Sequence, residues 1–263
     1  MTRSRFTPTH KFLLPLFAWA IVPFSHGAVV TYIDLFNAPP TQVIATNNAT
    51  VTNTVATATA IGGFRTLELS TSGGNPFFGP TILGVDGTAG DFLLSTPAGA
   101  LSTFVLKWGG TNGTAGLGGV DLTGGFPSFT LDTTLLTFDL TYSDQPNNFT
   151  WTFTDTSANV ATYTGSFPTL ISPPNPAIPY AISLASFTGG GIVDWTSINF
   201  ITLSGGGLTS LDMTLASPIA VVAGVPEPGT WAAAALLLVT AVYIRWRRAR
   251  GGAATAEEAP AAA

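Results

Sequence analysis

The chain has 263 residues, 9% of them charged, with 29 glycines, 19 prolines and an ordinary apolar fraction of 46%, which leaves room for one all-β domain with a segment at either end and excludes wholesale disorder. Between residues 28 and 225, eleven acids face two bases (Arg65 and Lys107), a net charge of −9 that would repel a phosphate backbone and excludes nucleic acid as a partner. Cysteine is absent, which excludes disulfides, thiolate nucleophiles and Cys-ligated metals.

Residues 1–27 have the three-part layout of a secretory signal peptide. Arg3, Arg5 and Lys11 precede the apolar run Phe12–Val22, and small residues follow up to Gly27. The run is too short for a stable membrane span, and Pro15 and Pro23 argue against an amphipathic first helix. Cleavage after Gly27 removes His10 and His26, the two histidines of the chain.

The body, 28–218, reads as strands separated by turns. Val29–Leu35 alternates as a first strand, and the Thr/Ala/Asn-rich stretch Thr41–Ala60 predicts one or two weak edge strands. Gly62-Gly63 signals a turn before Phe64–Ser70, which sets Arg65, Leu67 and Leu69 on one side. Ser72–Pro80 is a loop carrying Phe77 and Phe78, and Thr81–Val85 and Asp91–Leu94 flank an Asp86-Gly87 turn. Leu101–Trp108 puts Phe104, Leu106 and Trp108 on one face, and the glycine-dense Gly109–Gly125 reads as a surface loop.

The clearest local expectation is a hairpin over Leu135–Thr154. Phe138, Leu140 and Tyr142 alternate with Thr137, Asp139 and Thr141; Phe149, Trp151 and Phe153 alternate with Thr150, Thr152 and Thr154. Burying six such side chains at about 1.5–3 kcal/mol each makes their face a core. Val160–Phe167 follows as a strand, then the proline-rich crossing Pro168–Pro179. Tyr180–Phe187, Asp194–Leu203 and Leu208–Leu215 supply three more strands, separated by Gly189–Gly191 and Gly205–Gly207. Roughly ten short strands without helical periodicity predict a β-sandwich of jelly-roll type.

A body without His or Cys can build no Ser-His-Asp triad and no His-ligated zinc. Glu68 is its one glutamate, and no spacing pairs it with an aspartate as a glycosidase requires; the expectation is a non-enzyme with no cofactor. Asp86 and Asp91 bracket a Gly-rich turn and are weak candidates for calcium, against the simpler reading that they cap a turn. Trp108, Trp151 and Trp195 are either a sugar-stacking platform or core, with core the better reading for Trp108 and Trp151.

Residues 219–230 form a linker carrying Pro226-Glu227-Pro228, and Trp231–Trp246 predicts a single transmembrane helix. Trp231–Ile244, an apolar run of fourteen residues interrupted by Thr240, gives about 21 Å of helix, short for a bilayer. Trp231, Tyr243 and Trp246 sit at its boundaries, and Arg245, Arg247, Arg248 and Arg250 stop transfer and orient that end toward the cytoplasm. Residues 247–263 are a basic end and tail.

Pro226-Glu227-Pro228, the short helix from Trp231 and the basic run Arg245-Trp246-Arg247-Arg248, in that order and with a signal peptide at the opposite end, resemble the PEP-CTERM class of bacterial exported proteins. Residues 251–263 extend past the arginines, where that class usually stops. The resemblance implies that Pro226, Glu227 and Pro228 are read by an exosortase-type membrane peptidase. The protein would then be a single-pass inner-membrane intermediate, transient in the membrane, before its body passes to the cell surface or an exopolysaccharide matrix. The run Phe187–Met213, through Trp195 and Leu211-Asp212, is similar to β-sandwiches attached to such labels. Two readings follow: a non-catalytic surface or extracellular-matrix protein, or a lectin-like carbohydrate-binding module assisted by calcium. Intact-mass measurement of the exported protein is expected to give a chain that starts at Ala28 and lacks residues 229–263; a mass that retains 229–263 contradicts the processing.

Overall fold

The computed structural model describes residues 28–223 apart from 38, 47, 74–78, 88, 126–128 and 172–176; these belong to one compact unit, Ala28–Gly224. The expected signal peptide, Phe77 and Phe78, the Pro-Glu-Pro triplet, the expected apolar helix and the arginine cluster lie outside the described residues. No helix among the described residues is long and apolar enough to cross a membrane.

Thirteen strands run in chain order: β1 Val29–Asp34, β2 Thr41–Ala45, β3 Thr50–Ala56, β4 Phe64–Gly73, β5 Thr81–Asp86, β6 Asp91–Ser95, β7 Ala100–Trp108, β8 Thr134–Ser143, β9 Asn147–Asp155, β10 Val160–Phe167, β11 Ile178–Ser183, β12 Ile198–Thr209 and β13 Met213–Ala223. They form an all-β sandwich of two antiparallel sheets. A seven-stranded sheet has the order β11-β8-β13-β6-β5-β2, with β1 on β13, and a six-stranded sheet has the order β10-β9-β12-β7-β4-β3. The low-complexity stretch supplies β2 and β3, an edge strand of each sheet, as its composition predicts. β1 and β13 pair antiparallel with Val29 opposite Ala223, so the two ends of the unit leave one sheet side by side.

Alternation selects which face is buried. β9 sends Phe149, Trp151 and Phe153 into the core, and β8 sends Leu136, Phe138 and Leu140. The expected hairpin between these strands does not form: β8 pairs with β11 and β13, while β9 pairs with β10 and β12. The chain crosses from one sheet to the other between Ser143 and Asn147. This lets the two aromatic rows face each other, with Phe138 edge-on to Phe149 at 5.8 Å and tilted on Trp151 at 5.8 Å. A hairpin would have laid both rows side by side on one sheet and left the facing sheet to cover them. An irregularity in the β8–β13 register near Tyr142 breaks the alternation, so Tyr142 is only half-buried and Ser143 turns inward.

Other expectations are corrected in the same way. Gly205–Gly207 lies inside β12 as a bulge against β7, because Gly206 adopts φ 93° where an added Cβ would meet the Ser102 carbonyl oxygen at 2.4 Å. The strand expected over Asp194–Leu203 begins only at Ile198, and that over Tyr180–Phe187 ends at Ser183, where a short 3-10 turn takes over. The Gly109–Gly125 loop is zipped to the start of β12, with Leu117 N–H donating to Asn199, Val120 N–H to Ile198 and Leu122 N–H to Trp195, and Leu122 is buried. β13 continues to Ala223 with Ile219, Ala220 and Val221 buried, so 219–223 belong to the sheet rather than to a linker.

The two sheets are also joined by a buried polar clasp. Asp34, at the end of β1, accepts from Arg65 Nε at 2.6 Å and Nη2 at 2.5 Å, and from Trp108 Nε1 at 2.8 Å. It also accepts from the Phe36 N–H at 2.9 Å. Arg65 (β4) and Trp108 (β7) stand on the six-stranded sheet, and all three side chains are fully buried. Removing one partner from such a pair costs about 3–5 kcal/mol, whereas an apolar replacement of both is close to neutral. Denaturant unfolding is therefore expected to show Asp34→Ala destabilised by about 3–5 kcal/mol and Asp34→Leu/Arg65→Met recovering most of that loss.

Candidate functional site

The outward face of the six-stranded sheet carries two rows rich in hydroxyl side chains, in which Thr66 alone is buried. Alternation aims one side chain in two away from the core, and the registers line these up across all six strands. One row runs Thr162 (β10), Thr152 (β9), Thr202 (β12), Lys107 (β7), Thr66 (β4) and Thr54 (β3). The next row runs Thr164, Thr150, Ser204, Val105, Glu68 and Thr52. At about 4.8 Å per strand the first row spans about 24 Å.

This face is almost without charge. Lys107 and Glu68 are its two ions, and Lys107 Nζ donates to Glu68 at 2.8 Å. Both are partly exposed, so the pair neutralises itself without adding much stability. Some hydroxyls are committed to each other: Thr54 to Thr66 at 2.8 Å, Thr50 to Ser70 at 2.8 Å and Thr150 to Thr164 at 3.1 Å. The side chains of Thr162, Thr152 and Thr202 make no hydrogen bond among the described residues, which leaves three neighbouring hydroxyls on adjacent strands open to a ligand. Each can donate once and accept twice.

The residues singled out from sequence fare differently. Trp108, Trp151 and Trp195 are 0%, 0% and 4% exposed. The first two stack on each other at 5.9 Å, and Trp195 donates from Nε1 to the Gly190 carbonyl at 2.8 Å. A tryptophan platform for sugar is therefore overturned, because every one of these rings fills the core. Glu68 faces solvent in a row with no second carboxylate. Asp86 and Asp91 stand opposite each other at the close of the β5–β6 hairpin, beside a depression of about 410 Å³ lined by Pro40, Thr41, Gln42, Gly84, Val85 and Leu93. Asp86 caps the turn by accepting from the Ala89 N–H at 3.3 Å. Burial, and then the Asp86 charge, push the Asp91 carboxyl above the ordinary carboxylate value. Among the described residues no three His, Cys, Asp or Glu side chains gather as a metal group. Pro226, Glu227, Pro228 and the four arginines lie outside the described residues.

Reading the sequence alone found the Thr150/Thr152/Thr154 row but missed its continuation. The signal was present as Thr-x-Thr spacing at Thr52/Thr54, Thr150/Thr152/Thr154 and Thr162/Thr164. Strand order was needed to place these side by side.

No protein-family profile matches the chain, and no curated protein matches it. Among solved structures it is similar to the family 11 carbohydrate-binding module of the cellulosomal cellulase Lic26A-Cel5E of Clostridium thermocellum, with 10% identity over 76% of this chain and 96% of that one and a TM-score of 0.34. A solution structure of CtCBM11 matches at 12% identity over 77% of this chain and 99% of that one, with a TM-score of 0.36. An exo-beta-agarase structure matches at 13% identity over 62% of this chain and 23% of that one, with a TM-score of 0.36. Similarity at this level carries no functional argument.

The Asp91 geometry yields a pH-dependent expectation. A folded carboxyl held above its unfolded value adds stability that is complete below the unfolded pKa and is lost as pH rises through the folded one. Asp91→Asn should therefore melt at a higher temperature than the parent at pH 7, and the gain should shrink as pH falls toward about 4, the ordinary Asp range. A parent whose melting temperature drops on adding a chelator would instead mark a cation held by this pair.

Proposed function

We propose that the body is a non-catalytic exported protein of the cell surface or extracellular matrix, which contacts neutral carbohydrate through the outward face of the six-stranded sheet. The observation that carries this is the Thr162–Thr152–Thr202 row of open hydroxyls on a surface whose two charges cancel. A neutral polyhydroxylated chain offers the donors and acceptors that such a face needs, and a charged polymer would meet nothing to pair with. Each hydrogen bond contributes a net of about 0.5–1.5 kcal/mol, so single contacts are weak and many repeats along a polymer are required. With the tryptophans buried, binding would be polar, shallow and independent of calcium.

Delivery rests on the PEP-CTERM resemblance of residues 226–250. In this proposal Pro226, Glu227 and Pro228 are read by a membrane peptidase, the apolar helix holds the chain in the inner membrane, and Arg245, Arg247, Arg248 and Arg250 keep its far end in the cytoplasm. Both membrane-directed ends would be connected to neighbouring strands, since β1 begins opposite the end of β13. A second reading, a purely structural surface protein, is favoured by the hydroxyl pairs already closed within the face.

A glycan array probed with and without chelator separates the two readings. Carbohydrate contact predicts hits among neutral polysaccharides that persist in chelator and in high salt. Thr152→Val/Thr162→Val/Thr202→Val should keep the fold and weaken those hits at least about tenfold, from three lost hydrogen bonds. An array without hits supports the purely structural reading.

A further inference from the structure

A β-sheet edge exposes unpaired backbone groups, and native sheets usually block them with charge, proline, bulges, short strands or a covering segment. Most edges here are blocked in such ways. β10 is covered where Thr162 exchanges both backbone hydrogen bonds with Thr188, at 2.9 and 2.8 Å, and where the Tyr180 hydroxyl donates to the Ser166 carbonyl at 3.0 Å. β11 contains Pro179. β2 has five residues, and its Gln42 carbonyl accepts from Asn53 Nδ2 at 3.3 Å. β1 is six residues long, and the chain at its C-terminal end is tied down by the Asp34–Ala60 bridge and by Leu35 N–H donating to the Thr59 carbonyl.

β3 has none of these devices. Its seven residues, Thr-Val-Thr-Asn-Thr-Val-Ala, carry no charge and no proline, and its register with β4 runs without a bulge from Thr50–Ser70 to Ala56–Phe64. Thr57 N–H donates to the Gly63 carbonyl and Thr71 N–H to the Ala49 carbonyl. Backbone direction alternates along a strand, so residues 51, 53 and 55 also face β4. Thr50, Thr52, Thr54 and Ala56 therefore aim their N–H and C=O groups at the open edge, where they have no partner among the described residues. Thr50, Thr52 and Ala56 are exposed.

We infer that β3 is a self-association edge whose occupant is β3 of a second copy of this chain. Antiparallel pairing about a two-fold axis at Asn53 sets Thr52 opposite the partner's Thr54, and Thr50 opposite the partner's Ala56. Thr50, Thr52, Thr54 and Ala56 each then donate and accept once across the axis. The absence of charge removes self-repulsion, and facing threonines are a favourable cross-strand pair. The contact is isologous and closes on itself, because the opposite edge, β10, is covered and cannot propagate a chain of copies. Two six-stranded sheets become one, with their hydroxyl faces continuous. The interface is small, so the dimer is weak and concentration-dependent. The inference rests on backbone geometry alone and holds whether or not the face binds carbohydrate.

Sedimentation equilibrium of the full chain in density-matched detergent tests it. The parent should show a monomer–dimer equilibrium. Thr52→Lys/Thr54→Lys, which places like charges opposite each other across the axis, should stay monomeric and folded, with a melting temperature lowered by the loss of the Thr54–Thr66 hydrogen bond, a loss it shares with the next variant. Thr52→Lys/Thr54→Glu, which pairs opposite charges there, should restore the dimer. Because the chain has no cysteine, Thr52→Cys and Thr54→Cys chains offer a second readout: a short bis-maleimide, which adds one thiol at each end, should couple a mixture of the two faster than either alone. A parent that is monomeric at every concentration, a double-lysine variant that still dimerises, growth beyond dimers, or crosslinking no faster in the mixture would each overturn the inference.

Discussion

The carboxylate of Asp34 ties the two layers of this sandwich together. It lies on a strand of the seven-stranded sheet and takes its hydrogen bonds from Arg65 and Trp108, both on the six-stranded sheet. Buried charge is costly, and only near-complete pairing makes it tolerable. Arg65 also lies over the Phe36 ring at 5.2 Å, while its Nη1 is buried without a hydrogen-bond partner among the described residues. The clasp therefore fixes how β1, β4 and β7 sit across the core more than it adds stability, and the aromatic rows beside it supply most of the burial energy. Trp108 belongs to both systems, donating to Asp34 from its nitrogen and stacking on Trp151 with its ring.

With so much aromatic surface committed inward, the outward faces are left to small polar residues. A coat of Thr, Ser and Asn does the work that Lys and Glu do on ordinary proteins. Such a coat is poor at ionic recognition and poor at stacking. It is suited to many weak hydrogen bonds with neutral partners, and it favours strand pairing wherever an edge is left open, since β-branched residues fit a pleated surface. The hydroxyl face and the open β3 edge are thus two consequences of one composition.

Much of the fold was legible in the sequence because period-two alternation is a local property. The two edge strands in Thr41–Ala60, the inward rows of β4, β7 and β9, and the bounds of β10 could all be read directly. Partner choice was not legible. Phe138 and Phe149 alternate identically whether their strands are neighbours or face each other across the core, so the sequence pointed to a hairpin where the chain changes sheets. Gly205–Gly207 misled for a related reason: a glycine run marks unusual backbone, and a bulge inside a strand needs it as much as a turn does. Arg65 was placed on the correct side of its strand, but its partner Asp34 is 31 residues away in sequence and on the other sheet. The Thr162–Thr152–Thr202 row combines three strands and emerged only with their order.

The central claim is that neutral carbohydrate lies on the outward face of the six-stranded sheet. It is tested most directly by threonine-methyl NMR of the protein during titration with a neutral oligosaccharide. The account predicts that the methyls of Thr152, Thr162 and Thr202 shift together while those of Thr137 and Thr141, on the opposite sheet, stay fixed. Shifts confined to the opposite sheet, or none at saturating oligosaccharide, would contradict it.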